Sequence, residues 1–297
     1  MCTAISFLTK DHYFGRNLDL EYSYNETVTI TPRKYPFYFR HEKVLHQHYA
    51  IIGVAYVHDN YPLYYDATNE KGLSMAGLNF PEYADYKPFS SGKSNITPFE
   101  FIPWILAQCA TVTDAKSLLE TINLLKENYS SDLPLSPLHW IISDRTESIT
   151  LESTVDGLKI YTNTIGVLTN SPTFDAQLFY LENCMGIPGD WSSQSRFVRA
   201  HFVKQHSVCD PSEKASVNQL FHILGSVEHP RGIDEPINGA YEFTQYSSCC
   251  NTDSGIFYYK TYENSQIIAV DMHKENLDGE QIISYPLIKV SNVHFAN

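Results

Sequence analysis

The second residue of the chain is a cysteine, and an arginine and an aspartate follow at Arg16 and Asp19. Cells commonly remove an initiator methionine when the next residue is small. Met1 is therefore expected to be removed, leaving Cys2 with a thiol and a free α-amine on one carbon. An α-amine has a pKa of about 7.7–8.0, so much of it is neutral at physiological pH. It can act as general base for its own side chain, and nucleophile and base then come in one residue. A guanidinium beside the thiol would favour thiolate. Read singly, the other polar candidates stay open. Arg16 and Asp19, three apart, also fit a surface ion pair. Asn79 and Asn170, each closing a strand-like run, also fit turn chemistry.

These groups need elements to carry them. CTAISFL (2–8) and YFGRNLDL (13–20) read as two strands joined by a turn. TVTITPR (27–33) alternates with period two, and YAIIGVAYV (49–57) and GLSMAGLNF (72–80) are apolar runs of strand length. The tyrosine-rich stretch between the last two has the composition of a binding loop and hairpin. Thr97 and Glu100 suggest a capping box with Pro98 at the first helical position, and Pro103 implies a kink or a late start. The spacing predicts a helix over 113–128, strands over 137–144, 147–161 and 165–172, and helices over 195–206 and 217–227. Long Tyr-rich strands fill 241–272. The strands come in hairpins rather than strand–helix–strand crossovers. That order predicts an α+β fold with antiparallel sheets and helices on the outer faces. No linker divides the chain, so a single domain over 1–297 is expected.

Bulk composition removes several function classes. The formal charge of -13 repels nucleic acid and anionic lipid, and no basic cluster overrules it. No basic n-region with an apolar h-region follows Met1, and no apolar run of about 18 residues is present. A cytoplasmic protein is the expectation, with no nucleic acid or membrane as partner. Six cysteines without a C-x-x-C pair are expected to be reduced and mostly buried. Metal: none is expected, since His46 and His48 have no supporting ligand at helical spacing. Cys249, Cys250, Trp191 and His201 read as structural.

Met-Cys-Thr followed by F-G-R-N-L-D (14–19) resembles the N-terminus of the choloylglycine hydrolase family, which includes bile salt hydrolases and penicillin V acylases. G-L-S-M-A-G-L-N-F (72–80), G-V-L-T-N-S-P (166–172), P-G-D-W-S-S-Q-S-R-F (188–197), P-R-G (230–232) and Y-Y-K-T-Y-E-N-S-Q-I (258–267) continue the resemblance in family order. It implies a four-layer αββα N-terminal-nucleophile fold and amide hydrolysis through an acyl-thioester on Cys2, without a cofactor. By the same resemblance Arg16 favours the thiolate, Asp19 orients the α-amine, Asn79 and Asn170 offer donors to the oxyanion, and Arg231 completes the polar set. Penicillin V acylases of the family tend to carry Tyr where this chain has Asn79, so the resemblance points to glycine- or taurine-conjugated bile salts. The other readings are penicillin V acylase or another N-acyl amide hydrolase, and a silent binder of amphipaths. A redox role for Cys2 would need a resolving cysteine nearby. Acyl transfer to an amine is open on mechanistic grounds. A steroid needs a broad apolar pocket. Tyr22, Tyr24, Tyr61, Leu63, Tyr64, Leu133, Leu135 and Leu138 are the expected lining. The family's homotetramer is implied by resemblance, and the headgroup preference is not legible.

Overall fold

The computed structural model describes residues 1–233 and 239–297. Two antiparallel sheets face each other, with helices on their outer sides, in the αββα order expected. One sheet runs Val167–Leu168 (β12), Cys2–Leu8 (β1), His12–Leu20 (β2), Phe243–Asn251 (β13), Ile256–Thr261 (β14) and Asn264–Asp271 (β15). The other runs Gly157–Thr162 (β11), Ser148–Thr154 (β10), Leu138–Ser143 (β9), Ser74–Asn79 (β6), Tyr61–Asn69 (β5), Ile51–His58 (β4), Thr27–Thr31 (β3) and Ile283–Pro286 (β16). A small parallel pair joins Ser94–Ile96 (β7) to Ile122–Leu124 (β8).

Helices Phe101–Gln108 (α1) and Val112–Leu119 (α2) cover the larger sheet, α1 lying on β4, β5 and β6. Phe174–Asn183 (α3), Ser193–Gln205 (α4) and Glu213–Gly225 (α5) lie on the other side, with α4 and α5 against β1. No helix among the described residues is long and apolar enough to cross a membrane.

The β1–β2 hairpin is the centre of the smaller sheet. Its register sets Cys2 opposite Leu18 and Ala4 opposite Arg16. The hairpin packs so tightly against β13 that a Cβ on Gly15 would lie 2.1 Å from the Ser248 carbonyl oxygen. Glycine is what allows that approach. On β13 the pairing with β2 slips between Thr244 and Tyr246, a bulge that leaves Thr244 opposite Asp19.

Several elements differ from expectation. The tyrosine-rich stretch is the expected hairpin, but its loop shrinks to a tight turn in which Asp59 and Asn60 both have positive φ, and most of it is strand β5. The helix predicted over 113–128 stops at Leu119. Its tail Ile122–Leu124 pairs as a strand with β7, although Thr111 and Asp114 form the capping box that starts it. Residues 147–161 split into β10 and β11 at a turn around Gly157, whose φ is 108°. Val167–Leu168 leaves that meander and pairs with β1 in the other sheet. Helix α1 starts late, at Phe101, placing Pro103 in its first turn where its missing N–H costs nothing.

Candidate active site

Cys2 opens β1 facing the second sheet and is 3% exposed. Its backbone N–H donates to Asn170 Oδ1 at 2.6 Å. The same oxygen receives Arg196 Nη2 at 2.8 Å, and Asn170 Nδ2 donates to the Asn79 carbonyl at 2.8 Å. Two donors on one atom and an acceptor on the other fix the amide orientation. Asn170 follows β12, whose pairing with β1 delivers it to Cys2.

Arg16 is fully buried beneath this point. Nη1 donates to the carbonyls of Tyr65 and Gly77, each at 2.8 Å, which ties the guanidinium to the larger sheet. Nη2 is buried and makes no hydrogen bond among the described residues. Burial works against the charge, but Cys2, Tyr246 and Asp66 outweigh it and hold the guanidinium above its ordinary pKa. Asp66 balances the charge from below. It accepts from Tyr246 Oη at 2.5 Å and Ser248 Oγ at 2.9 Å, and burial pushes its carboxyl up.

Asp19 is buried and fully engaged. Thr244 Oγ1 donates to Oδ1 at 2.5 Å, and His229 Nδ1 lies 3.2 Å from Oδ2. Burial alone would raise its pKa. The His229 hydrogen bond and the N-terminal ammonium more than offset that, and Asp19 lies below the ordinary carboxylate range. The Met1 ammonium pairs with Glu242 and donates to the Asp19 carbonyl at 3.1 Å. Burial lowers its pKa. Asp19, His229 and Glu242 hold ligand atoms within 4.8 Å of one another, a spacing that suits a cation. The Met1 ammonium reaches this group through Glu242.

The structure therefore brings Cys2, Arg16, Asp19 and Asn170 into one buried polar cluster, with Asn79 joined through its backbone. Two placements differ from expectation. Asn170 spends its side-chain N–H on Asn79, whereas the Asn79 side chain is exposed at the end of β6. Arg231 lies at the surface, pairing with Glu263 at 2.9 Å and stacking on Phe243 at 4.1 Å. The arginine that meets Cys2 is Arg196 on α4. Its Nη1 donates to the Cys2 carbonyl at 2.6 Å and to Thr3 Oγ1 at 2.9 Å. Arg196 lies in the 188–197 segment on the inward face of α4, beside buried Phe197 and Ala200. Nothing in the sequence singled out His229, Thr244 or Asp66.

The expected lining is partly assembled. Tyr24, Tyr56, His58 and Tyr129 form a row with ring centroids 5.4–5.9 Å apart, and Tyr61 and Phe99 flank Tyr129. This row joins the stretches around Tyr24, Tyr61 and Tyr129, near which the expected lining residues lie. Tyr22 is 57% exposed. Leu63 and Leu133 are partly buried, and Leu135 and Leu138 pack on the helix-side core. Tyr64 is a correction. It is buried in that core with its hydroxyl 2.6 Å from Thr31 Oγ1, because the strand alternation turns it away from the sheet interface. The neighbouring Tyr65 packs against the inter-sheet core instead.

A family model for linear amide C–N hydrolases of the choloylglycine hydrolase family matches residues 2–187 and 182–285. A bile salt hydrolase/transferase of Lactiplantibacillus plantarum is 51% identical, over 100% of both chains. One from Clostridium perfringens is 38% identical, again over 100% of both. A crystal structure of a conjugated bile acid hydrolase variant from Clostridium perfringens superposes with a TM-score of 0.92 at 37% identity, covering 100% of each chain.

Proposed function

The chain belongs to the choloylglycine hydrolase family of linear amide C–N hydrolases, and from that premise we propose that it deconjugates glycine- and taurine-linked bile salts through Cys2. The observation that supports bile salts is the full-length similarity to relatives named for them. The buried cluster around Cys2 supports the chemistry.

Removal of Met1 frees the Cys2 amine at the position where its N–H already meets Asn170 Oδ1. That amine takes the thiol proton as sulfur attacks the amide carbonyl. Arg16, buried and electrostatically coupled to Cys2, steadies the thiolate. The oxyanion forms next to the exposed Asn79 amide, the donor of this pair that is not already spent. Collapse breaks the C–N bond, and the amine's proton passes to the departing glycine or taurine. Water, activated by the same amine, then cleaves the thioester and restores the thiol. Asp19, oriented by His229 and Thr244, holds the amine. Arg231, at the rim, faces solvent where an anionic headgroup enters. The tyrosine row is the wall offered to the steroid.

We place the enzyme in the cytoplasm, as a single domain over 1–297 in a homotetramer. The reading is tested by free amino acid release from glycocholate and taurocholate, with phenoxyacetate release from penicillin V beside it. Intact mass establishes that the chain begins at Cys2. Release from bile salts that disappears in Cys2→Ala is the expected result. Faster penicillin V cleavage, or no cleavage of either by the processed chain, overturns it.

A further inference from the structure

At the end of β1 away from Cys2, a cleft of about 680 Å³ opens between the β9–β10 turn, the 162–166 segment and the end of α4. Its charged side chains are nearly all spoken for. Asp144 accepts from Thr146 N and Oγ1, Glu147 N and Val112 N. Glu147 pairs with Lys116, and Arg145 pairs with Asp253. Lys204 is the exception. Its Nζ donates to the Ile165 carbonyl at 2.5 Å and meets no carboxylate among the described residues. Burial, unopposed by any anion, brings its pKa down to about 8, so it is still mostly charged at pH 7. Burial also holds His201 below its ordinary value, so it adds no charge there.

An ammonium without a counter-ion on a cleft wall is costly unless water or a ligand anion completes it. The space for it is built. A Cβ on Gly166 would lie 2.7 Å from Lys204 Nζ, so the absence of a side chain there admits the ammonium. Thr164 and Gln205 add polar groups beside it, and Leu8 and Ile165 give an apolar floor. We propose that this cleft is a second ligand site, taking an amphipathic organic carboxylate or sulfonate whose anionic group completes Lys204. The volume suits a body of drug size, larger than a bare amino acid.

The test uses full-length Cys2→Ala protein, in which turnover is removed. Lys204 is acetylated with an N-hydroxysuccinimide ester and the rate is read by peptide mass spectrometry, so the signal belongs to this cleft alone. Cholate or taurocholate at up to about 10 mM, ten times a weak affinity, is expected to slow Lys204 acetylation about fivefold or more. Exposed Lys274 serves as the unaffected reference. Glycine and taurine alone should not protect, and protection by them equal to cholate would show a bare headgroup site instead of the amphipathic one. In Cys2→Ala carrying Lys204→Gln, which keeps a donor for Ile165 but drops the charge, the calorimetric affinity of the second cholate site, separate from the one at residue 2, should fall roughly tenfold or more. A Lys204 rate unchanged by all four compounds, no reaction at Lys204 in the free protein, or affinity unaltered in Lys204→Gln overturns the proposal. Activity in otherwise native protein is not used, so failure here leaves the Cys2 reading intact.

Discussion

Arg196 illustrates what one side chain can hold in place. It reaches the Cys2 carbonyl, Thr3 and Asn170 together, and Asn170 in turn holds the Cys2 N–H. Arg196→Met leaves those acceptors buried without a charged donor, and a misplacement of about 1 Å at a nucleophile can cost about a hundredfold. We expect kcat for glycocholate to fall about a hundredfold in Arg196→Met with a smaller change in KM, measured on protein of native circular dichroism. Arg231→Met should change kcat less than about tenfold, since its partners are exposed Glu263 and the half-buried rings of Phe243 and Tyr262. Cys2, Arg16 and Asp19 were legible because they sit within nineteen residues on two plain strands. Arg196 and His229 were not, because each meets the cluster across about two hundred residues of chain. No local pattern encodes such a contact.

At the level of elements, β2 is clamped between β1 and β13, and Gly15 is the tightest point of the clamp. Gly15→Ala must push β13 away or bend β2, and overpacking of this kind costs about 1–3 kcal/mol. A urea midpoint lowered to match, with amide cleavage lost alongside as Arg16 moves, is the expected outcome. An unchanged midpoint would show that the sheet gives way freely. Strands β1 to β4, with short alternation or apolar runs of strand length, and helices α4 and α5 are readable. Ile122–Leu124 misled because Leu and Ile at helical spacing fit a helix, while the parallel partner β7 lies far back in sequence. Tyr64 misled for a related reason: a bulge between Val54 and Ala55 shifts the β4–β5 register beside it. Composition alone does not reveal which tyrosine faces which sheet.

For the molecule as a whole, the far end of the sandwich is closed by a polar plug. His12 bonds Ser6 at 2.8 Å and Thr252 at 2.9 Å, and Ser143 from the other sheet meets Ser6 at 2.9 Å. Burial, partly opposed by Asp253 and Asp144, lowers the His12 pKa to about 4. The unfolded chain takes up this proton near pH 6.5 and the folded chain only near 4, so the unfolded state binds more protons in between. Stability from this group is full above about pH 6.5 and falls by about 3 kcal/mol as the pH drops to about 4. His48 and His201, also lowered, add the same sign. Urea unfolding between pH 7 and 4.5 should show this decline, and His12→Gln should flatten it. An equal slope in both proteins would remove His12 as the cause. The β1–β2 hairpin has a different consequence, one of inheritance. Cys2, Arg16 and Asp19 ride on it in fixed register, so insertions or deletions in loops that do not carry their partners leave that register untouched. Descendants of this chain are free to reshape the walls, and so to change diet, without rebuilding the blade.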